Sequence, residues 1–304
     1  MRLIVCICTH NRAALLRQTL SRITEIERPI ACDWELLVVD NASTDGSAQV
    51  AQEFEDRLPL SLIREPKLGL SNARNAAIDE AVARKADYMI WTDDDVLPDR
   101  LWLREYEAAF VKYPEVGILG GTVRPWFESQ PPAWLHRNWA VFKNAFAVRE
   151  LGDAEFELKP DSVELPFGAN FCVRVADQQT ARYDPGLGVI GNKRLRGEES
   201  VVLEALLRQG HRGWWLPRAA VEHFLPTSRL SIEYLTQYYR GAGETEAILR
   251  GWADRPPYRR PRWIWRMYLQ SLLFCCVASV LGRGAFWARH FRVARTCEGR
   301  LFAS

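Results

Sequence analysis

Three consecutive aspartates, Asp93, Asp94 and Asp95, are the residues of this 304-residue chain whose type and spacing point most directly to chemistry. Adjacent carboxylates repel one another and lose hydration when buried, so a chain that needed only a turn would more simply use Asp-Gly or Asn-Gly. A divalent cation removes the repulsion, and hard carboxylate oxygens suit Mg²⁺ or Mn²⁺ better than zinc. The alternative is an acidic loop that caps the helix predicted to begin near Arg100.

The elements around the aspartates predict where they lie. An apolar run at residues 88–91 leads into them and is typical of a buried strand. Similar runs at residues 3–8, 34–39 and 60–63 are each followed by a polar loop and a helical pattern, which gives four strand–helix units in about 110 residues. An alternating chain of this kind builds a parallel sheet, and such sheets bind ligands at the carboxyl ends of their strands. The sequence therefore predicts an α/β protein with the aspartates at the ligand-binding edge.

Polar side chains also follow the other predicted strands. Thr9 and Arg12 follow the first strand, and Asp40 ends the second. Residues 69–75 begin a helix whose first turns are polar, with Arg74 among them, where a plain core helix would be apolar. No Gly-x-Gly-x-x-Gly follows the first strand and no Walker-type motif is present, so the usual phosphate-binding loops are missing.

Three further candidates lie later in the chain. Glu198 and Glu199 begin a predicted helix, where acids are already favoured by the helix dipole. His223 follows a short predicted strand at residues 214–217, and a lone histidine is more often structural than a ligand. From the residues alone, structural and catalytic roles remain open for all three.

The net charge of +2 conceals an uneven distribution. From residue 255 onward there are ten arginines and one acid, so this tail carries +9 and the first 254 residues carry −7. Such a distribution argues against nucleic acid as the main partner and favours an anionic surface met by the tail. The seven cysteines contain no Cys-x-x-Cys pair, and residues 1–8 are too short for a signal-peptide core, so we expect a cytoplasmic protein with reduced thiols.

The tail also contains an apolar segment, residues 263–281, which Arg266 and Gln270 interrupt in its first half. Since spanning a bilayer takes about 20 apolar residues, these polar residues make a span marginal. Packing on protein is another alternative. We expect the segment to lie at the inner face of the cell membrane, where tryptophans and basic side chains within 259–295 meet anionic headgroups. The arginines concerned are Arg259, Arg260, Arg262, Arg283, Arg289, Arg292 and Arg295.

Seven motifs occur in order along the chain, at residues 9–12, 39–46, 69–75, 93–95, 168–170, 197–199 and 217–223. Together they resemble the family 2 glycosyltransferases, which are inverting enzymes of the GT-A fold. The resemblance covers most of residues 3–230, and the order and spacing of the motifs make it specific although each one alone is weak. It implies a mixed central sheet, with a Rossmann-like nucleotide-binding half at about 1–120 abutting an acceptor-binding half at about 121–230. Residues 231–304 are then a helical, basic C-terminal region.

The resemblance further implies metal-dependent transfer of one sugar from a nucleotide-diphospho-sugar, with a UDP-sugar as the expected donor, to an acceptor hydroxyl in cell-surface polysaccharide or glycolipid synthesis. The acceptor would be a saccharide or a lipid-linked molecule. In the family the second acid of a Glu-Asp pair is the base; here the pair is Glu198-Glu199, which favours Glu199 and leaves Glu198 as the alternative. The implied nucleotide-binding residues are Thr9, Arg12, Asp40, Arg74 and Asp93, and the implied ligands of Mg²⁺ or Mn²⁺ are Asp95, Asp94 and His223.

Further expectations come from comparing the chain with other protein classes. Residues 237–241 lack the tryptophan of the Gln-x-x-Arg-Trp motif of processive synthases, so we expect single-sugar addition. A sugar-nucleotide pyrophosphorylase is disfavoured because its Gly-rich, Lys-containing signature is missing after the first strand, whereas a non-catalytic component of a glycan-synthesis machine is the alternative of a different class.

The aromatic and proline-rich residues 125–160 lack periodicity and are expected to form a mobile, substrate-shaping insertion instead of a core element.

Overall fold

The computed structural model describes residues 1–162, 164–185, 189–190, 193–194, 198–280, 282 and 284–303. Within these residues the strands are β1 (Arg2–Thr9), β2 (Asp33–Asp40), β3 (Leu60–Arg64), β4 (Tyr88–Asp93), β5 (Val96–Pro98), β6 (Ile118–Phe127), β7 (Phe156–Leu158), β8 (Asn170–Arg174), β9 (Val189–Ile190), β10 (Lys193–Arg194) and β11 (Gly213–Leu225). The helices are α1 (Ala13–Ile23), α2 (Ser47–Gln52), α3 (Leu70–Ala83), α4 (Trp102–Lys112), α5 (Ala133–Arg137), α6 (Trp139–Phe142), α7 (Val175–Gln178), α8 (Glu198–Arg208), α9 (Ile232–Leu249), α10 (Arg262–Val280) and α11 (Ala285–Phe302).

The first four strands form the parallel part of the sheet. β1 pairs in parallel with both β2 and β4, and β3 pairs in parallel with β2, which gives the order β3-β2-β1-β4. The register sets Cys8 opposite Val39 on one side and Asp93 on the other, and Thr9 opposite Asp40. Because parallel strands end at a common edge, the polar residues that follow them are brought together there, as predicted.

The sheet then changes direction. β8 pairs antiparallel with β4 and with β6, and β11 pairs antiparallel with β5 and β7. In the described residues the nine-stranded path therefore runs β3-β2-β1-β4-β8-β6-β11-β5, with β7 attached to β11. This is the mixed central sheet that the sequence predicts.

Helices cover both faces of the parallel strands. Along β1 successive side chains point to opposite faces, which explains why its apolar run does not alternate with polar residues. Leu3, Val5 and Ile7 face a cluster that includes residues of α1 and α4. On the other face Ile4 and Cys6 join a cluster with residues of α3 and α8.

The described Cα atoms divide into two compact units. The first unit comprises Met1–Pro125, Val148–Lys193 and Gly197–Phe224, and it holds the sheet just described. The second comprises Trp126–Ala147, Arg194–Arg196 and Leu225–Ser304. The division near residue 225 lies close to the predicted start of the helical C-terminal region.

In the second unit α9 and α11 approach each other at two glycines. A Cβ on Gly243 would lie 2.1 Å from the backbone oxygen of Thr296, and one on Gly299 would lie 2.0 Å from that of Arg240. Any larger residue would push the two helices apart. These glycines therefore allow the backbones of α9 and α11 to come into direct contact.

The prediction that residues 125–160 form no core element was wrong for the part that belongs to the second unit. Phe142 and Phe146, within and just after α6, are fully buried. Phe142 contacts the rings of Trp287 and Phe291 on α11. Phe142 and Phe146 are therefore core residues. They show no sequence periodicity because their positions follow the shape of the helical cluster and not the repeat of one helix or strand.

Candidate functional site

The acidic motif lies where β4 ends and the chain turns into β5. β5 pairs with β11 in a register that sets Val96 opposite His223. The backbone oxygen of Asp95 accepts a hydrogen bond from Phe224 N at 2.9 Å. The long strand β11, at the end of the first unit's sequence, thus places His223 beside aspartates that precede it by more than a hundred residues.

Asp93, Asp95 and His223 form a group of three metal-ligand side chains. One ligand atom from each lies within 4.8 Å of the others, and Nε2 of His223 is 3.4 Å from Oδ1 of Asp95. Asp95 and His223 are buried, and Asp93 is half-buried. Nδ1 of His223 has no hydrogen-bond partner among the described residues, although a buried nitrogen normally has one. Two carboxylates and an imidazole that keeps a buried nitrogen without a partner are a donor set that fits a divalent cation.

Asp94 is held by different partners. Its Oδ2 accepts a hydrogen bond from the hydroxyl of Thr9 at 2.8 Å, and its Oδ1 accepts one from Nη1 of Arg12 at 2.9 Å. The same Arg12 nitrogen donates to Oδ2 of Asp95 at 2.7 Å. Burial raises the pKa of Asp94 to about 7, against the opposing charge of Arg12 and with a further increase from Asp95. Asp94 therefore lies outside the three-residue group, and the prediction that it binds metal stays a prediction.

Asp93 faces basic side chains as well as the other acids. Burial and then the charge of Asp95 raise its pKa, while Arg74, His223 and Arg12 act in the opposite direction. The edge of the sheet thus contains three carboxylates whose mutual repulsion is only partly compensated. A ligand with two positive charges would complete that compensation.

Two asparagines that we did not single out from the sequence organise the loops of this edge. Asn11 adopts a left-handed backbone conformation (φ 52°), and its Oδ1 accepts hydrogen bonds from the backbone nitrogens of Thr44 and Asp45. Asn41 donates to Lys67 O at 2.8 Å and accepts from Gly69 N at 2.8 Å. They join the loops after β1, β2 and β3. The available signal was that each asparagine lies in the polar loop that follows a predicted strand.

Asp40 is buried at the end of β2, and its Oδ1 accepts a hydrogen bond from Ser43 N at 3.1 Å. This contact fixes the turn that begins the loop at 41–46. The predicted contact of Asp40 with the base or ribose stays a prediction.

Arg74 and Glu199 meet on the same unit. Arg74 projects from the first turns of α3 and is 4% exposed, and its Nη1 lies 3.8 Å from Oε2 of Glu199. Its guanidinium lies over the ring of Tyr183, 5.1 Å from the centroid, and 5.9 Å from that of Trp91. The side chain of Glu198 lies outside the described residues. Of the glutamate pair, the structure therefore describes only the contact of Glu199.

Asn170, from the Gly-Ala-Asn motif, has a structural position. Its Oδ1 accepts from Trp102 Nε1 at 2.9 Å and from the Tyr106 hydroxyl at 2.8 Å. Its Nδ2 donates to Thr122 O at 2.9 Å and to Ala219 O at 2.7 Å. All four hydrogen bonds of the amide are made inside the protein, which joins β8 to the neighbouring part of the sheet and to α4.

The sheet has a parallel half with an acidic motif at its carboxyl edge, and its antiparallel strands bring a histidine back to that motif. This arrangement is the GT-A class of fold expected from the sequence. The family model for glycosyl transferase family 2 matches residues 4–162, just over half of the chain, and the chain belongs to this family. The predicted fold class and family resemblance are both confirmed.

Curated relatives are similar over part of their length. A validoxylamine A glucosyltransferase from Streptomyces hygroscopicus subsp. jinggangensis (strain 5008) is 30% identical over 152 residues, which is 49% of this chain and 35% of the relative. A chondroitin synthase from Escherichia coli is 28% identical over 118 residues, 38% of this chain and 16% of the relative. The matched segments thus span about a third or less of these relatives.

Solved structures are similar over almost the whole chain. A mannosyltransferase from Pyrobaculum calidifontis, in complex with GDP-Man and Mn²⁺, covers 97% of this chain and 86% of its own, with a TM-score of 0.62 and 17% identity. S. aureus TarS 1–349, in complex with UDP-GlcNAc, covers 98% of this chain and 90% of its own, with a TM-score of 0.57 and 14% identity. At these identities the likeness shows the fold alone.

Proposed function

We propose that the chain transfers a single sugar, with inversion, from a nucleotide-diphospho-sugar to an acceptor hydroxyl in a metal-dependent reaction. The observation that carries this proposal is the convergence of Asp93, Asp95 and His223 within 4.8 Å at the carboxyl edge of the parallel strands. Membership of glycosyl transferase family 2 supports the reaction class. The bound donors of the two solved neighbours support a nucleotide sugar, with either UDP or GDP as the nucleotide.

Asp93, Asp95 and His223 would hold the cation. An imidazole nitrogen beside two carboxylates suits Mn²⁺, whereas Mg²⁺ favours oxygen ligands throughout, so we propose Mn²⁺ as the more effective ion. When bound, the metal stabilises the negative charge that develops on the diphosphate leaving group. Thr9, Arg12, Asp40 and Arg74 would line the nucleotide pocket, as the family resemblance implies.

Glu199 would act as the general base. An inverting transfer needs a group opposite the leaving group that accepts the proton of the acceptor hydroxyl. Glu199 lies at the beginning of α8, and its side chain is 17% exposed, which leaves it accessible to an acceptor. Glu198 remains the alternative base.

A screen of nucleotide sugars tests the proposal. The protein is mixed with Mn²⁺ and a panel of UDP- and GDP-sugars, and its melting temperature and the release of nucleoside diphosphate are measured, since a bound ligand stabilises the folded state by mass action. We expect one donor to raise the melting temperature and to be hydrolysed slowly, and EDTA to remove both effects. Turnover that is unchanged in EDTA would exclude the metal role. Donor binding without any release would favour the non-catalytic assembly component.

We also propose that α10 lies on an anionic membrane surface, where a lipid-linked acceptor would be found. α10 is the one described helix that is long and apolar enough to cross a membrane, and only 22% of its apolar window is buried. Leu269, Leu273, Val277 and Val280 are 52–88% exposed and recur every three or four residues, so they share one face. Arg262 and Arg266 on the same helix are exposed and complement anionic headgroups.

Not every arginine predicted to meet headgroups is available for it. Arg260 is buried and donates hydrogen bonds to the backbone oxygens of Arg300 and Ala303, at the end of α11, and to those of Ala253 and Arg255, so it joins the end of α11 to residues 253–255. For Arg260 the expectation was wrong. Arg295 pairs with Glu298 at 2.5 Å, and Arg283 lies outside the described residues.

A further inference from the structure

Arg74 connects the two parts of the proposed reaction centre. On one side its guanidinium lies 5.9 Å from the ring centroid of Trp91, on β4, the strand that ends at Asp93 of the metal group. On the other side its Nη1 lies 3.8 Å from Oε2 of Glu199. A buried arginine that contacts only a nucleotide would have no need of the second partner.

The surroundings of Arg74 hold its guanidinium in place. The rings of Tyr183 and Trp91 lie beside it at 5.1 Å and 5.9 Å, a spacing at which the positive charge is attracted to an aromatic face. A planar guanidinium held against aromatic rings presents its N–H groups in a set direction, which a flexible lysine ammonium does not. The direction in which Arg74 points is therefore determined before any ligand binds.

Gly168 leaves the space in which the pair meets. A Cβ at this position would lie 2.7 Å from Nη2 of Arg74 and 3.7 Å from the carboxyl carbon of Glu199. Alanine would therefore displace the guanidinium while leaving both charges present. The backbone of Gly168 is not in a left-handed conformation, so the substitution perturbs the pair and not the chain.

We propose that Arg74 is a positioning residue for the general base: it holds the Glu199 carboxylate in the orientation in which it accepts the acceptor's proton. This rests on the proposed function and assigns Arg74 a role beyond nucleotide binding. Since Glu199 is half-buried at the beginning of a helix, a fixed cation beside it limits the rotamers that the longer glutamate side chain can adopt.

The test is a double-mutant cycle with the full-length protein, Mn²⁺ and the donor identified by the screen. Arg74→Ala, Glu199→Gln and the double variant are compared for kcat at saturating donor, donor Kd and melting temperature. If Arg74 acts through Glu199, Arg74→Ala lowers kcat about tenfold or more, and the double variant is no more than about threefold slower than Glu199→Gln alone. Added guanidinium ion should restore part of the activity of Arg74→Ala and none of that of the double variant.

Gly168→Ala gives an independent measurement that does not depend on removing a charge. It should lower kcat about threefold to tenfold while donor Kd stays within about twofold. Gly284→Ala is the matched control, because a Cβ there meets no atom within 4 Å, and it should match the unmodified chain.

The possible failures are separable. Multiplicative effects of Arg74→Ala and Glu199→Gln, or a raised donor Kd with kcat unchanged, would overturn the positioning role and leave Arg74 as a nucleotide-binding residue. Absence of turnover by the unmodified protein with every donor would instead contradict the proposed function itself.

Discussion

The carboxyl edge of the sheet and the outer face of α10 depart from ordinary burial in opposite directions. At the sheet edge, charged and polar groups such as Asp94, Asp95 and His223 are at most 5% exposed. On α10, Leu273 is 61% exposed and Val280 is 88% exposed. Folding alone favours the reverse in both places, because buried charges lose hydration and exposed leucines keep ordered water.

The difference shows which kind of partner each region requires. Arg12 pairs with two of the buried carboxylates, Asp94 and Asp95, so the charge of the sheet edge is partly compensated, and what it lacks is more positive charge. The α10 face needs an apolar partner of large area, which the described part of the second unit does not supply. One region is therefore suited to an ion and a nucleotide, and the other to a surface.

The largest effect is expected at Asp95. Asp95→Ala should reduce sugar transfer to background, because it removes one of three converging ligand atoms. The fold should remain, since loss of one clustered carboxylate relieves repulsion in the metal-free state. Transfer rates and Mn²⁺ binding by calorimetry check this. Asp56→Asn, at an exposed acid, serves as the control, and an Asp95→Ala protein that still binds Mn²⁺ normally would contradict the ligand assignment.

The next effect separates chemistry from binding within the first unit. Glu199→Gln should preserve donor binding and lower transfer on the order of 10²-fold, because the amide cannot accept the proton. Single-turnover rates and donor Kd are the measurements. Glu198→Gln is the matched control; if it carries the deficit and Glu199→Gln does not, the base is Glu198.

The sequence predicts the parts of this site that depend on local pattern. Apolar runs and the polar residues directly after them predicted β1 to β4 and the common edge of Thr9, Asp40 and Asp93. It does not predict contacts that depend on pairing of distant segments. The approach of His223 to Asp95 requires the register of β5 with β11, and the Arg74–Glu199 pair requires α3 and α8 to pack on one face.

The two wrong predictions, at Arg260 and Phe142, have the same physical cause. Arg260 is of the residue type that binds headgroups, and only the fold shows that its guanidinium donates hydrogen bonds to four backbone oxygens. Phe142 looked like part of a loop because its partners lie on α11, about 145 residues later. Local sequence reports propensity, and such contacts are decided by tertiary packing.

Asn170 offers a buried polar group that needs no ligand, and it sharpens the contrast with the aspartates. Asn170→Ala should lower the free energy of unfolding by about 3 kcal/mol, because Trp102 Nε1 and the Tyr106 hydroxyl lose a buried acceptor. Denaturant unfolding with and without Mn²⁺ measures it. The loss should be equal in both conditions, and the surface variant Asn144→Ala should be near neutral. A destabilisation under about 1 kcal/mol would show that the network tolerates an unpaired donor.

The smallest of these effects concerns α10. The double variant Leu269→Asp/Leu273→Asp should bind vesicles of mixed anionic and neutral lipid at least about tenfold more weakly, since it removes two apolar anchors and adds negative charge at the headgroups. Arg262→Gln should weaken binding by roughly 1 kcal/mol and reduce its dependence on salt. Flotation measures both. Val111→Asp is the matched control, because Val111 is a 77% exposed apolar residue on α4.

The alternatives for α10 give different results in the same assay. If the exposed face binds a second copy of the chain, the protein sediments as a dimer without lipid, and the double variant becomes monomeric. If α10 spans the bilayer, the protein resists extraction by salt and by carbonate and is released only by detergent. Equal recovery in the soluble fraction with anionic and neutral vesicles would exclude the membrane surface. Because an interfacial helix depends on charge as well as apolar area, loss of binding at high salt alone would identify this mode against the other two.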